Sequence, residues 1–174
     1  MPALGPNAYL IGQADARPRL CTPALLLELD AFEHNLAAMA AICRQHGVAL
    51  RPHAKTHKSV EIARKQLEAG AVGICCATIG EAERLADGGI GNLLITSPLV
   101  TAAKLKRLAA LLERANGLMV VADQLAVVDA LTELAAGASR SLTVLVDLGV
   151  GRQRTGCTTS EAALAIARDR KSVV

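Results

Sequence analysis

Within the eight residues Arg51-Pro52-His53-Ala54-Lys55-Thr56-His57-Lys58, two lysines stand among two histidines. A lysine amine attacks a carbonyl carbon to give a Schiff base once desolvation or neighbouring cations lower its pKa. Imidazoles titrate near neutral pH, so His53 and His57 are candidates for a general base or for contacts with a cofactor. His53 and Lys55 are two residues apart, which on a strand places them on one face. Lys58 ranks below Lys55 as the reactive amine and reads as a surface or phosphate-proximal charge. From the bare pattern, a solvated or phosphate-binding basic loop fits equally well, and either histidine reads as well as a packing or capping residue.

The surrounding pattern supplies a position for this string. Val48-Ala49-Leu50 is a short apolar run of strand type that opens a strand over 48–54, and Ser59 is a good N-cap for a helix over 59–69 that Gly70 stops. Lys55 therefore falls near the carboxyl end of a strand, where α/β proteins keep their chemistry. Before it, residues 24–29 read as a strand, with Asp30 capping the next helix, Glu33 placed for a reciprocal bond and Gly47 ending it. After it come a strand at 72–77 with a helix at 79–87 stopped by Gly88-Gly89, and a strand at 92–96 with a helix at 101–115. Leu105, Leu108, Leu111 and Leu112 share one side of that helix. A fifth unit spans 118–122 and 124–136, and a sixth strand spans 142–148, with Ser160 capping a helix from Glu161. Six β/α repeats in about 150 residues predict a parallel sheet. The rhythm fits a doubly wound sheet or a barrel; the lack of Gly-x-Gly-x-x-Gly after the first strand counts against a dinucleotide-binding sheet.

A second stretch, Asp147-Leu148-Gly149 through Arg154-Thr155-Gly156, follows the sixth strand. Gly149, Gly151 and Gly156 suggest close backbone approach or positive φ, or an ordinary turn. Asp147 either orients neighbouring groups or, the favoured reading, caps the turn.

Four segments in order resemble the D-threonine aldolase and D-serine dehydratase-like family, whose enzymes share the barrel of alanine racemase. They are the run at 22–30, the 51–58 string, Gly73-Ile74-Cys75-Cys76-Ala77-Thr78-Ile79-Gly80-Glu81-Ala82, and the glycine and arginine stretch. The resemblance implies a TIM-like (β/α)8 barrel of the alanine racemase N-terminal type, with about six β/α units present, in a fold type III enzyme. It implies that Lys55 carries pyridoxal 5'-phosphate and that Arg154, or alternatively Arg152, approaches the cofactor's phenolic oxygen. The implied activity is a lyase reaction on D-β-hydroxy amino acids, a retro-aldol cleavage to glycine and an aldehyde. A D-serine dehydratase, an amino-acid racemase or a non-catalytic pyridoxal phosphate-binding protein are the alternatives.

On the same grounds the chain is expected to divide into an N-terminal extension at 1–20, a partial cofactor-binding barrel at 21–168 and a non-native tail at 169–174. That tail matches the translation of a common sequencing adapter. The remaining barrel strands, a late glycine-rich phosphate cradle and a C-terminal β-domain are expected to be absent. A divalent metal is implied for the full-length protein, with no ligands in this chain, so the fragment alone is expected to be inactive. Open sheet edges would favour poor solubility or association, including a possible homodimer.

Composition is consistent with a soluble enzyme. Hydrophobic residues make up 52% and charged residues 20%, whereas aromatics are 1%, so the core must be built from Leu, Ala, Val and Ile. The net charge of +3 is dispersed and marks no nucleic-acid or membrane-surface patch. Cys21, Cys43, Cys75, Cys76 and Cys157 lack metal or redox spacing and read as reduced, mostly buried thiols. The N-terminus has no signal-peptide pattern and no run approaches a membrane span, so a cytoplasmic location is expected.

Overall fold

The computed structural model describes residues 5–168; the expectation for 169–174 lies outside them. Helices and strands follow one another as α1 (Leu29–Gln45), α2 (Val60–Glu68), β1 (Ile74–Cys76), α3 (Ile79–Asp87), β2 (Leu93–Ile95), α4 (Ala102–Leu112), β3 (Met119–Ala122), α5 (Leu125–Ala136), β4 (Thr143–Val146) and α6 (Ser160–Arg168). Ser59, Thr78 and Thr101 start α2, α3 and α4: each has extended backbone, and each side chain accepts the N–H three residues on. This satisfies a donor that no helical carbonyl can reach. At the other end of α2, Gly70 turns left-handed at φ +104, so that Ala71 N–H reaches back to Gln66 O at 3.0 Å.

All four strands are parallel and lie in chain order across the sheet, β1-β2-β3-β4, in a register that pairs Ile74 with Leu93, Ile95 with Val120 and Val120 with Val144. A doubly wound sheet reverses its order at a switch point, whereas consecutive β/α units of a barrel do not. The architecture is a partial α/β barrel. Ile74, Cys76, Leu93, Ile95, Val120 and Ala122 alternate along β1 to β3 and are buried with Leu85, Leu108, Leu111 and Leu131 of the helices. The opposite face, with Cys75, Leu94, Met119 and Val121, is half-buried, and at the edge β4 leaves Leu145 41% exposed.

Two expected strands do not form. Residues 24–28 are not a strand, and Leu25, Leu26 and Leu27 are exposed, because a strand needs a ladder partner that a local apolar pattern does not supply. The helix begins at Leu29, so Asp30 lies within its first turn instead of capping it. Residues 48–54 run beside β1, with Val72 N–H bonded to Leu50 O, Cys75 N–H to Pro52 O and Ala54 N–H to Cys75 O, yet only the His53↔Cys75 bridge forms. Pro52 has no N–H to give the preceding rung. A smaller correction concerns α6, where Thr159, not Ser160, accepts the capping bond from Ala162 N–H.

Contacts divide the chain into residues 1–35 and 36–174. In the first unit two 3₁₀ turns, Ala8–Leu10 and Arg17–Arg19, are tied by Asn7, whose amide both donates to Cys21 O and accepts Cys21 N–H. All five cysteines are free; Cys76 and Cys157 are buried, Cys43 and Cys75 half-buried and Cys21 exposed, so fewer are buried than expected. Among the described residues no helix is long and apolar enough to cross a membrane.

Candidate active site

The chain leaves the bridge with β1 at His53 and turns at once through residues 54–57. Ala54, 1% exposed, anchors the turn: its carbonyl accepts both His57 N–H at 3.1 Å and Lys58 N–H at 2.7 Å. Lys58 takes a left-handed φ of +52. It lines a cavity of about 180 Å³ with Ala54, Gly80, Glu81, Arg84 and Leu85. Lys55 sits on the turn and is exposed, so the desolvation expected of it is not provided by the described residues.

The His53 ring contacts the Lys55 main chain within a turn; residue 55 is not in a strand, so the shared strand face expected for the two side chains does not arise. Lys55 N–H donates to His53 Nδ1 at 3.3 Å, and Nε2 lies 3.2 Å from Thr96 Oγ1. The Thr96 hydroxyl donates to Cys76 O at 3.1 Å, which leaves its oxygen to accept from Nε2–H. The bonds at both nitrogens therefore select the neutral Nε2–H form. Burial, and then the positive charge of Lys55, push the His53 pKa below its ordinary value, with Glu81 opposing them. Glu81 is itself fixed by the Ala77 N–H at 2.7 Å.

His57 faces elsewhere. Its Nδ1 accepts Ser59 N–H at 3.1 Å, at the start of α2, and burial lowers its pKa despite opposing effects of Gln66 and Ser59. His57 Nε2 and Gln66 Oε1 are both buried without a partner at hydrogen-bond geometry.

Arg152 and Arg154 are exposed on a loop that leaves β4 and returns to it. Leu148 and Cys157 form a parallel bridge, with Gly149 N–H bonded to Cys157 O at 2.9 Å and Cys157 N–H to Asp147 O at 2.8 Å. A Cβ on Gly156, at φ +100, would lie 2.5 Å from Gly149 N. Close backbone approach is therefore the reading that holds for Gly149 and Gly156, while Gly151 has positive φ in open space. Among the described residues, no hydrogen bond or ion pair joins either arginine to the lysine turn.

Two polar residues at strand ends went unnoticed in the sequence. Thr96 follows β2 and orients His53; Asp123 follows β3 and accepts Gly156 N–H at 3.1 Å, while its carbonyl accepts the Cys157 thiol. Their signal was position alone, one residue beyond an apolar run. Among the described residues no group of three or more His, Cys, Asp or Glu is placed to hold a metal. An exposed lysine at the carboxyl edge, with its main-chain N–H bonded to the His53 ring and no partner on its Nζ among the described residues, fits an aldehyde-bearing cofactor.

Comparison with known proteins identifies the family and the fold. The sequence profile described as alanine racemase, N-terminal domain, matches residues 27–172. The 3-hydroxy-D-aspartate aldolase of Paracoccus denitrificans is 37% identical over 148 residues, 84% of this chain and 38% of that protein. The D-threonine aldolase of an Arthrobacter species is 38% identical over 159 residues, 91% of this chain and 42% of that protein. The crystal structure of D-threonine aldolase from Filomicrobium marinum superposes with a TM-score of 0.82 at 41% identity, covering 85% of this chain and 40% of that one. The chain thus spans about two fifths of the length of these relatives.

Proposed function

Since the chain belongs to the alanine racemase N-terminal domain family, we propose that it is the lysine-bearing part of a pyridoxal phosphate-dependent lyase acting on D-β-hydroxy amino acids. The reaction is a retro-aldol cleavage to glycine and an aldehyde, the activity class named for its aldolase relatives. The observation that carries this reading is the exposed Lys55 at the carboxyl edge, its main-chain N–H bonded to a histidine whose surroundings favour the neutral ring.

In this reading Lys55 binds the cofactor, and Arg154, with Arg152 as the alternative, meets its phenolic oxygen. The bound cofactor acts as an electron sink for the bond broken at Cα. Thr96 holds the His53 ring through Nε2, leaving Nδ1 as the atom able to take up a proton. The competing bond to Nδ1 from Lys55 N–H, 3.3 Å long, is weak enough to be displaced. His53 thus serves as the general base near Lys55. A divalent metal held by residues outside the matched portion, a cytoplasmic location and a homodimer complete the proposal. Residues 1–20 are its N-terminal extension and 21–168 its barrel portion.

The test is to add pyridoxal phosphate to the purified chain, reduce with borohydride and map the adduct. A stable adduct on Lys55 that disappears in Lys55→Ala supports the reading. An adduct that survives the substitution unchanged rejects it. Glycine release from D-threonine by the longer protein, abolished by EDTA, tests the reaction class and the metal; a bound cofactor without turnover of any D-amino acid points instead to a carrier.

A further inference from the structure

We propose that His57 is a positioning residue: its ring ties the turn that carries Lys55 to one face of α2, through Ser59 and Gln66, and exchanges no proton with substrate. The inference rests on Lys55 being the cofactor lysine. Its first support is the direction of the bond at Nδ1. Because Nδ1 accepts Ser59 N–H, the proton of the neutral ring must sit on Nε2, which makes Nε2 a donor.

The second support is the pair of unsatisfied atoms. Among the described residues, buried side-chain nitrogen or oxygen atoms without a partner occur at two places, His57 Nε2 and Gln66 Oε1. One is a donor and the other an acceptor, and the Gln66 side chain already opposes, as a hydrogen-bond partner would, the burial that lowers the His57 pKa. A hydrogen bond between them would relieve the desolvation cost of both groups at once.

Helix geometry makes that bond a strut. Gln66 lies seven residues beyond Ser59, two turns along the same face of α2, and helical side chains lean toward the N-terminus. The ring would thus be gripped by the helix cap on one side and by the second turn on the other. His57 N–H in turn binds Ala54 O, the carbonyl that closes the turn around Lys55. With Nδ1 accepting from Ser59 N–H and Nε2–H given to Gln66, the ring would keep no lone pair for substrate; the corresponding bond at His53 Nδ1 is the longer of the two, 3.3 Å against 3.1 Å.

Two substitutions separate positioning from proton transfer. His57→Gln supplies an oxygen for Ser59 N–H and an N–H for Gln66, but cannot titrate near neutral pH; His57→Leu fills the space and bonds to neither. The concentration of pyridoxal phosphate that half-saturates borohydride trapping on Lys55 should rise about tenfold in His57→Leu, the worth of one or two hydrogen bonds, and stay within about twofold in His57→Gln. Equal impairment of the two variants would overturn the proposal. In parallel, ¹⁵N spectra of the histidine rings in the chain without cofactor should show the Nε2–H tautomer at His57, with an N–H resonance protected from exchange and lost in Gln66→Leu. An Nδ1–H tautomer, or protection unchanged in Gln66→Leu, also overturns it. Should the wild-type chain trap no cofactor at Lys55, the site reading fails, while the ring spectra still decide the role of His57.

Discussion

The turn bearing Lys55 is closed by a single carbonyl, that of Ala54, and oriented by side chains, whereas the loop bearing Arg152 and Arg154 is closed by main chain drawn together at both ends. Around Lys55 the constraints run from His53 to Thr96 and from His57 to Ser59. In the arginine loop they run between the backbones of residues 147–149 and 156–157, with Asp123 adding one carboxylate. The side-chain constraints of the former can be removed one hydrogen bond at a time, with the Ala54 closure left in place. The latter depends on two glycines that almost touch, so it fails together.

Gly156→Ala should therefore produce the largest contrast. The new methyl would meet Gly149 N at 2.5 Å and Leu148 C at 2.6 Å, and the residue would be strained at φ +100. A loss of about 2–4 kcal/mol in urea unfolding is expected, against less than about 0.5 kcal/mol for Thr56→Ala on the exposed lysine turn. Similar losses at the two positions would show that the loop is not closed by glycine contact.

A smaller effect is expected at Thr96→Val, which keeps the shape but removes the hydroxyl between His53 and Cys76 O. Leaving Nε2–H without its partner should cost about 1–2 kcal/mol and weaken cofactor trapping at Lys55 without disturbing the arginine loop. Protection of Gly149 and Cys157 amides from hydrogen exchange, compared in wild type and variant, checks that separation. Protection lost there as well would mean that the two regions are coupled.

The smallest effect is a pH dependence confined to the lysine side. Folding lowers the pKa values of His53 and His57 from 6.5, chiefly by burial, so below that pH the unfolded chain takes up protons first. Stability contributed by the neutral rings is complete above pH 6.5 and is lost as the pH falls through their lowered values. The urea midpoint should fall between pH 7.5 and 5.5 in wild type and fall less in the His53→Asn, His57→Gln double variant. An equal fall in both would assign the dependence to other groups.

Much of the fold was legible because each β/α unit announces its own helix. The strands at 72–77, 92–96, 118–122 and 142–148 contain β1 to β4, and Ser59 caps α2 as its hydroxyl and position suggest. The two earlier strands were misread because apolar character says nothing about whether a ladder partner is present, and Pro52 further limits pairing. At the site, reactive side chains were visible but their orientation was not. Nothing local distinguishes His53, turned toward Thr96, from His57, turned toward α2, since each depends on a residue distant in sequence or two helical turns away. Thr96 and Asp123 were hidden for the same reason.

The coincidence of sheet order with chain order has a kinetic consequence. Successive strand partners, Ile74 with Leu93, Leu94 with Met119 and Met119 with Thr143, are 19 to 25 residues apart, so each pairing closes a short loop with its own helix inside it. Assembly can then advance from the amino end as the chain leaves the ribosome, each unit docking on a finished edge without waiting for distant sequence. The His53 bridge to β1 requires only residues already made by then. Lys55 would thus reach its turn before Arg152 and Arg154 have been synthesised.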